Sequence, residues 1–147
     1  TGLSFLANTL VAKRFEILLE TIPVAEVVGF LVRSQNPNTN SEAKEAHAAV
    51  EAKARRLVVA EVGPSSDLET AFHTLVRQGT KAICVQADQA LTLPPNRLVR
   101  LADAHALPAV YFSRDVVAAG GLMSYGTNSN DAYWLLGGYA ARILNGE

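Results

Sequence analysis

The chain has 147 residues, 49% of them apolar, with 13 basic and 14 acidic side chains and a formal net charge of -1. That length suits one domain with a core of its own, and the balanced charge excludes the electrostatic footprint of a nucleic-acid binder. No apolar run approaches the ~20 residues that span a bilayer, and the single cysteine excludes an internal disulfide.

Val11, Phe15, Leu18, Leu19 and Ile22 recur at helical spacing, and Lys13, Arg14, Glu16 and Glu20 are assigned to the opposite, polar face. Pro23 ends that helix. The continuous apolar run 27–32 predicts a strand buried on both faces. A loop, "RSQNPNTNS", follows, and Asn40 or Ser41 is placed to cap an Ala-rich helix over about 42–55. The cycle then repeats, with a strand over 57–62 and a turn over 63–66. A helix marked by Leu68, Phe72, Leu75 and Val76 is closed by Gly79. A strand over 82–86 leads into a loop over 87–96. Pro94 and Pro95 open a helix through Leu98, Leu101 and Ala102. A strand over 109–112, a helical turn over 114–119, a fifth strand over 122–124 and a helix over about 130–144 complete the pattern. Strands alternating with helices predict an α/β fold, a doubly wound parallel five-stranded sheet of the flavodoxin-like kind, with strand order near 2-1-3-4-5.

Ligands of such folds sit beyond the carboxyl ends of the strands. The loops there, 33–40, 63–66, 86–93, 112–115 and 124–128, carry hydrogen-bonding groups and two cations, Arg33 and Arg114. They hold no nucleophile–base pair and no metal set, so an enzyme, a metal site and a cofactor are not expected. Cys84 lies inside an apolar strand, as a small buried hydrophobe does. His47, His73 and His105 fall on helices as surface residues. No glycine-rich phosphate fingerprint follows the first strand. Asp88 either accepts a ligand ammonium or only organises its turn. Arg114 either grips a carboxylate bidentately or is a solvated charge beside Asp115. Tyr125 either faces a ligand or covers the edge of the core.

Taken together, "RSQNPNTNSEAKEAHAAVEAKARRLVV", "DLETAFHTLVRQGTKAICVQADQ", "RLADAHALPAVYFSRDVVAAGGLMSYG" and "DAYWLLGGYAARILNGE" resemble the substrate-binding proteins of ABC-type uptake transporters, in the branch that includes binders of amino acids, tryptophan and other aromatic ones among them. The most specific stretch is "LPAVY…R…AAGGLMSYG" followed by "RILNGE". The resemblance covers the whole chain and implies the second lobe of a type I periplasmic binding protein. Residues 1–128 would be that lobe, and 129–147 a helix returning toward a first lobe or another chain. It implies a small ligand, an amino acid or similar carboxylate, held between two lobes, and a membrane permease as partner in a periplasmic or other extracytoplasmic setting. With Met123 as its only methionine and Thr1 at its start, the sequence reads as a piece of a longer protein. Carried over by position, the ligand residues are Ser34, Asn36, Asn38, Asp88, Tyr111, Arg114, Ser124 and Tyr125. Two departures fall in the site: Arg33-Ser34 stands where family members often have Asn-Pro, and Gln89-Ala90-Leu91 follows Asp88 in place of Pro and aromatics. The alternatives are an effector-binding domain of a regulator or sensor and, less favoured, an isomerase on the same fold.

The last helix carries no charged side chain from Ala132 to Ala141. A helix lying on one lobe shows a polar face, so this one is expected to pair two copies of the chain through 131–144.

Overall fold

The structure, a computed structural model, describes residues 10–63, 67–127 and 129–146. Its elements are α1 (Val11–Thr21), β1 (Val27–Arg33), α2 (Thr39–Glu51), β2 (Arg56–Val62), α3 (Leu68–Arg77), β3 (Ala82–Val85), α4 (Gln89–Thr92), α5 (Pro95–Ala104), β4 (Ala109–Tyr111), α6 (Arg114–Ala118), β5 (Met123–Ser124) and α7 (Ser129–Leu144). All strand pairs are parallel and the order is β2-β1-β3-β4-β5, as the alternation predicts. A strand covered on both faces has no polar side to show, which is why β1 and β3 are apolar throughout their buried stretches.

Helices α1 and α2 cover one face of the sheet. There Phe15, Leu18, Ala46 and Val50 meet Val28, Phe30, Cys84 and Val110, and Phe15 stands edge-on to Phe30 at 5.4 Å between ring centres. Helices α3 and α5 cover the other face, packing Phe72, Leu75 and Leu98 on Leu31, Ile83 and Tyr111. Gly79, at φ +77°, ends α3 in the left-handed region that favours glycine. The Thr80 N–H then donates to the Leu75 carbonyl.

Three local expectations need correction. Arg14 lies not on the polar face of α1 but fully buried, while Lys13 and Glu16 pair at 2.7 Å outside. Helix α2 starts earlier than expected, with Asn38 rather than Asn40 or Ser41 at its N-cap, and its side chain makes no capping bond. The 33–38 turn closes instead through the Asn38 N–H donating to Asn36 Oδ1 at 2.9 Å, an Asx turn. The loop after β3 contains the short helix α4, capped by Asp88 through the Ala90 N–H at 2.8 Å.

Helix α7 packs substantially on no other strand or helix among the described residues. Ala132 is buried, but Tyr133, Trp134, Leu135, Tyr139 and Ile143 are exposed, Trp134 by 84%. No helix among the described residues is long and apolar enough to cross a membrane.

Candidate functional site

The carboxyl ends of the parallel strands share one edge of the sheet, and the order β2-β1-β3 sets the end of β1 between those of its neighbours. A ladder of hydrogen bonds ties these ends together. The Ser34 N–H donates to the Val62 carbonyl at 2.9 Å, and the Arg33 N–H donates to Gln86 Oε1 at 2.8 Å. Thr39 Oγ1 donates to the Arg33 carbonyl at 2.7 Å, and Gln86 Nε2 donates to Thr39 Oγ1 at 3.0 Å. Gln86 and Thr39 are both buried, so these bonds stand in a low dielectric where a lost partner is costly. Both backbone polar groups of Arg33 are thus held.

Asp88 sits at the centre of this edge. Its Oδ2 accepts from Arg33 Nε at 2.6 Å and from Asn36 Nδ2 at 2.8 Å, and its Oδ1 accepts from the Ala90 N–H. Burial alone would raise its pKa. The bonds from Arg33, Asn36 and the Ala90 N–H together outweigh that and hold the carboxyl below its ordinary value. Asp88 therefore does organise its turn, and its side chain is only 6% exposed.

Two side chains of opposite sign are also buried, without an ion pair between them, and neither Glu42 carboxyl oxygen has a hydrogen-bond partner among the described residues. Arg14 reaches in from α1 and Glu42 from the first turn of α2, both essentially without exposure. Burial raises the Glu42 pKa, with Arg14 and the Gln86 amide opposing the rise. Burial likewise pushes the neighbouring Cys84 thiol up to about 11, with Arg14 again opposing.

The remaining expected residues divide. Ser34 is exposed, Asn36 and Asn38 are half-buried on the same turn, and Arg114 is exposed at the start of α6. Asp115 does not pair with Arg114 there; the Asp115 N–H donates to the Ser113 hydroxyl at 3.2 Å, and that hydroxyl lies 3.3 Å from Asp115 Oδ2. Ser124 is half-buried at the end of β5, and Tyr125 is partly exposed just beyond it. Tyr111 is the exception, because its ring is 1% exposed within the core on the α5 side. The ring packs where Gly121 leaves room; a Cβ there would stand 2.8 Å from Tyr111 Cε2. Burial pushes its hydroxyl up to about 12, with Asp103 adding to the rise. Among the described residues no group of three or more His, Cys, Asp or Glu side chains is placed to hold a metal ion.

Gly126 shapes the turn after β5. A Cβ there would collide with the Phe112 carbonyl oxygen, a backbone atom that cannot swing aside as a side chain does. Gly126→Ala is expected to cost about 1–3 kcal/mol and to push the 112–114 loop away from the edge. Urea denaturation followed by circular dichroism measures the loss, and an unchanged midpoint would mean that the two loops separate freely.

The family described as "ABC transporter substrate binding protein" matches residues 1–147. No curated protein matches the chain significantly. Among solved structures, a conserved domain protein from Vibrio cholerae shares 21% identity at a TM-score of 0.82, over 100% of this chain and 49% of its own. An ABC domain in complex with L-Trp from Streptococcus pneumonia shares 19% at a TM-score of 0.76, over 93% of this chain and 47% of its own. The ligand-free, open form of a substrate binding protein with adhesive properties from Clostridium difficile shares 18% at 0.65, over 90% and 46%. The chain thus spans about half the length of these structures, and the likeness to them is one of fold.

Proposed function

The chain belongs to the ABC transporter substrate-binding protein family, and from that premise we propose that it is one ligand-binding lobe of an extracytoplasmic solute-binding protein that serves a membrane permease. The ligand is an amino acid or a related carboxylate, held between this lobe and a second one. Its role is binding rather than catalysis. Hinge closure of the lobes around the ligand creates the form that the permease recognises.

The observation that carries this reading is the make-up of the carboxyl edge. Arg33, Ser34 and Asn38 stand exposed or half exposed there, on a turn tied from behind by buried Gln86 and Thr39, and Arg114 and Tyr125 are exposed just past β4 and β5. Donors on a stiff frame, beside an aromatic ring, suit a small polar ligand that is oriented by a few placed groups. The complex of a fold neighbour with L-Trp favours an amino acid with a large side chain.

Calorimetry tests the reading. A two-lobed protein containing this chain is titrated with a panel of amino acids and their carboxylate analogues, and so is this chain alone. Because small ligands are enclosed over ~70–90% of their surface, the lobe alone is expected to bind on the order of 100-fold more weakly. Equal affinity in the two would overturn the two-lobe account.

We also propose that, on its own, this chain pairs with a second copy through α7. The helix is 16 residues long, about 24 Å at 1.5 Å per residue. Tyr133, Trp134, Gly137 and Gly138 line an open groove of about 640 Å³ along it. Trp134 precedes the glycine pair by one helical turn. Two antiparallel copies can each set Trp134 over the other's glycines, which is the reciprocal contact that two-fold pairing requires.

A further inference from the structure

The acid expected to meet a ligand ammonium is already engaged. A carboxylate offers about four acceptor positions, and Asp88 has three filled, by Arg33 Nε, Asn36 Nδ2 and the Ala90 N–H. With its side chain 6% exposed, it has little left to offer a solute. Arg33 stands differently. Its side chain is 31% exposed, and only its Nε is engaged; its two terminal nitrogens have no hydrogen-bond partner among the described residues. Its backbone N–H and carbonyl are both held, by Gln86 and Thr39, and the bond to Asp88 fixes the plane of the guanidinium. A guanidinium fixed through Nε presents its terminal N–H groups as a rigid donor set suited to a planar anion.

We infer that Arg33 reads a carboxylate of the ligand, and that Asp88 acts through it as a positioning residue rather than as the acceptor of an ammonium. This rests on the proposed ligand-binding role of the edge and refines it. The site selects the carboxylate and is indifferent to an amino group. Asn36 belongs to the same support, since its amide holds Asp88 with one end and closes the 36–38 turn with the other. The arrangement also gives the departure at Arg33-Ser34 a use. A cation placed after β1 neutralises the acid after β3 and leaves terminal N–H groups for a carboxylate.

The test uses this chain and three probes of one shape: L-phenylalanine, 3-phenylpropionate, which lacks the amino group, and phenethylammonium, which lacks the carboxylate. Binding is followed by NMR through the Arg33 Nε–H signal and the backbone amides of 33–39. The two carboxylates are expected to shift these signals with dissociation constants within about 10-fold of each other, and phenethylammonium to leave them in place. Arg33→Ala is expected to weaken both carboxylates by about 10-fold or more, the scale of charge-assisted bonds. Arg33→Lys, which keeps the charge and loses the fixed plane, is expected to recover only part. Asp88→Asn is expected to weaken carboxylates in wild type but to add nothing in the Arg33→Ala background, as a residue acting through Arg33 must. Carboxylate binding that leaves Arg33 unmoved, or survives Arg33→Ala, overturns the inference while leaving a carboxylate ligand standing. Binding of phenethylammonium at 33–39 in preference to the acids overturns it in favour of an ammonium site. If no probe shifts the edge, in this chain or in a two-lobed protein that contains it, the carboxylate reading of the edge fails together with the inference.

Discussion

Arg14→Ala is expected to destabilise the fold by about 2–5 kcal/mol, the scale for removing a large, fully buried side chain, a large share of the ~5–15 kcal/mol that holds an ordinary domain together. The Arg14 side chain is fully buried, and its charge opposes the burial that raises the Glu42 and Cys84 pKa values. Removing it leaves the Glu42 carboxyl in a low dielectric without its counter-charge. The loss should show in urea denaturation followed by circular dichroism, and a deficit below about 1 kcal/mol would mean that solvent readily replaces the Arg14 side chain. Glu42→Gln in the Arg14→Ala background is expected to restore part of the stability, because a neutral amide needs no counter-charge.

The deficit should also depend on pH, and its sign follows from Glu42. Burial raises the folded pKa of Glu42 above its ordinary value of 4.5, with Arg14 opposing. For a carboxyl shifted upward, the favourable contribution is fully present below the unfolded pKa and is lost as pH rises through the folded pKa. Arg14→Ala removes the opposing charge and raises the folded pKa further. The gap between variant and wild type should therefore widen from pH 4.5 toward neutrality. Asp88 runs the other way: its carboxyl is held low, so its contribution is present above the ordinary 3.8 and is lost on acidification through its folded pKa. Comparing variant and wild type at each pH cancels that shared loss.

The second large effect is in assembly. Light scattering behind a sizing column should show this chain as a dimer, and Trp134→Asp should return it to a monomer. Stable pairings bury ~800 Å² per partner, and α7 offers Tyr133, Trp134, Leu135, Tyr139, Ile143 and Leu144, all exposed. A carboxylate at position 134 would have to leave water to enter the groove, at a cost that exceeds what one indole contributes. A monomer at high concentration in wild type, unchanged by Trp134→Asp, would show that α7 needs no second copy.

The sheet was legible because β1, β2 and β3 are apolar runs separated by helical periods, and right-handed crossovers leave few orders for them. The burial of Arg14 and Glu42 is legible in the spacing as well, although the charge of Arg14 points to the polar face. Arg14 stands three residues after Val11 and four before Leu18, which is the buried face of α1, and Glu42 stands four before Ala46 on the buried face of α2. Spacing is a stronger signal than charge when two opposite charges fall on facing stripes. The Arg33–Asp88 contact follows from strand order, since Arg33 ends β1 and Asp88 lies just past the adjacent β3. What could not be read was rotamer choice. Nothing in "AVYF" says whether the Tyr111 ring turns to the edge or into the core. Helix α4, four residues long, is too short to leave a period.

Cys84 has a practical consequence. The thiol is buried in the central strand and holds its proton until about pH 11, so it is silent toward maleimides and oxidants under ordinary conditions. A cysteine introduced at an exposed position of the edge, such as Ser34, would be the sole reactive thiol. A polarity-sensitive dye attached there would turn the protein into a single-label optical reporter of its own ligand, with the native sequence otherwise intact.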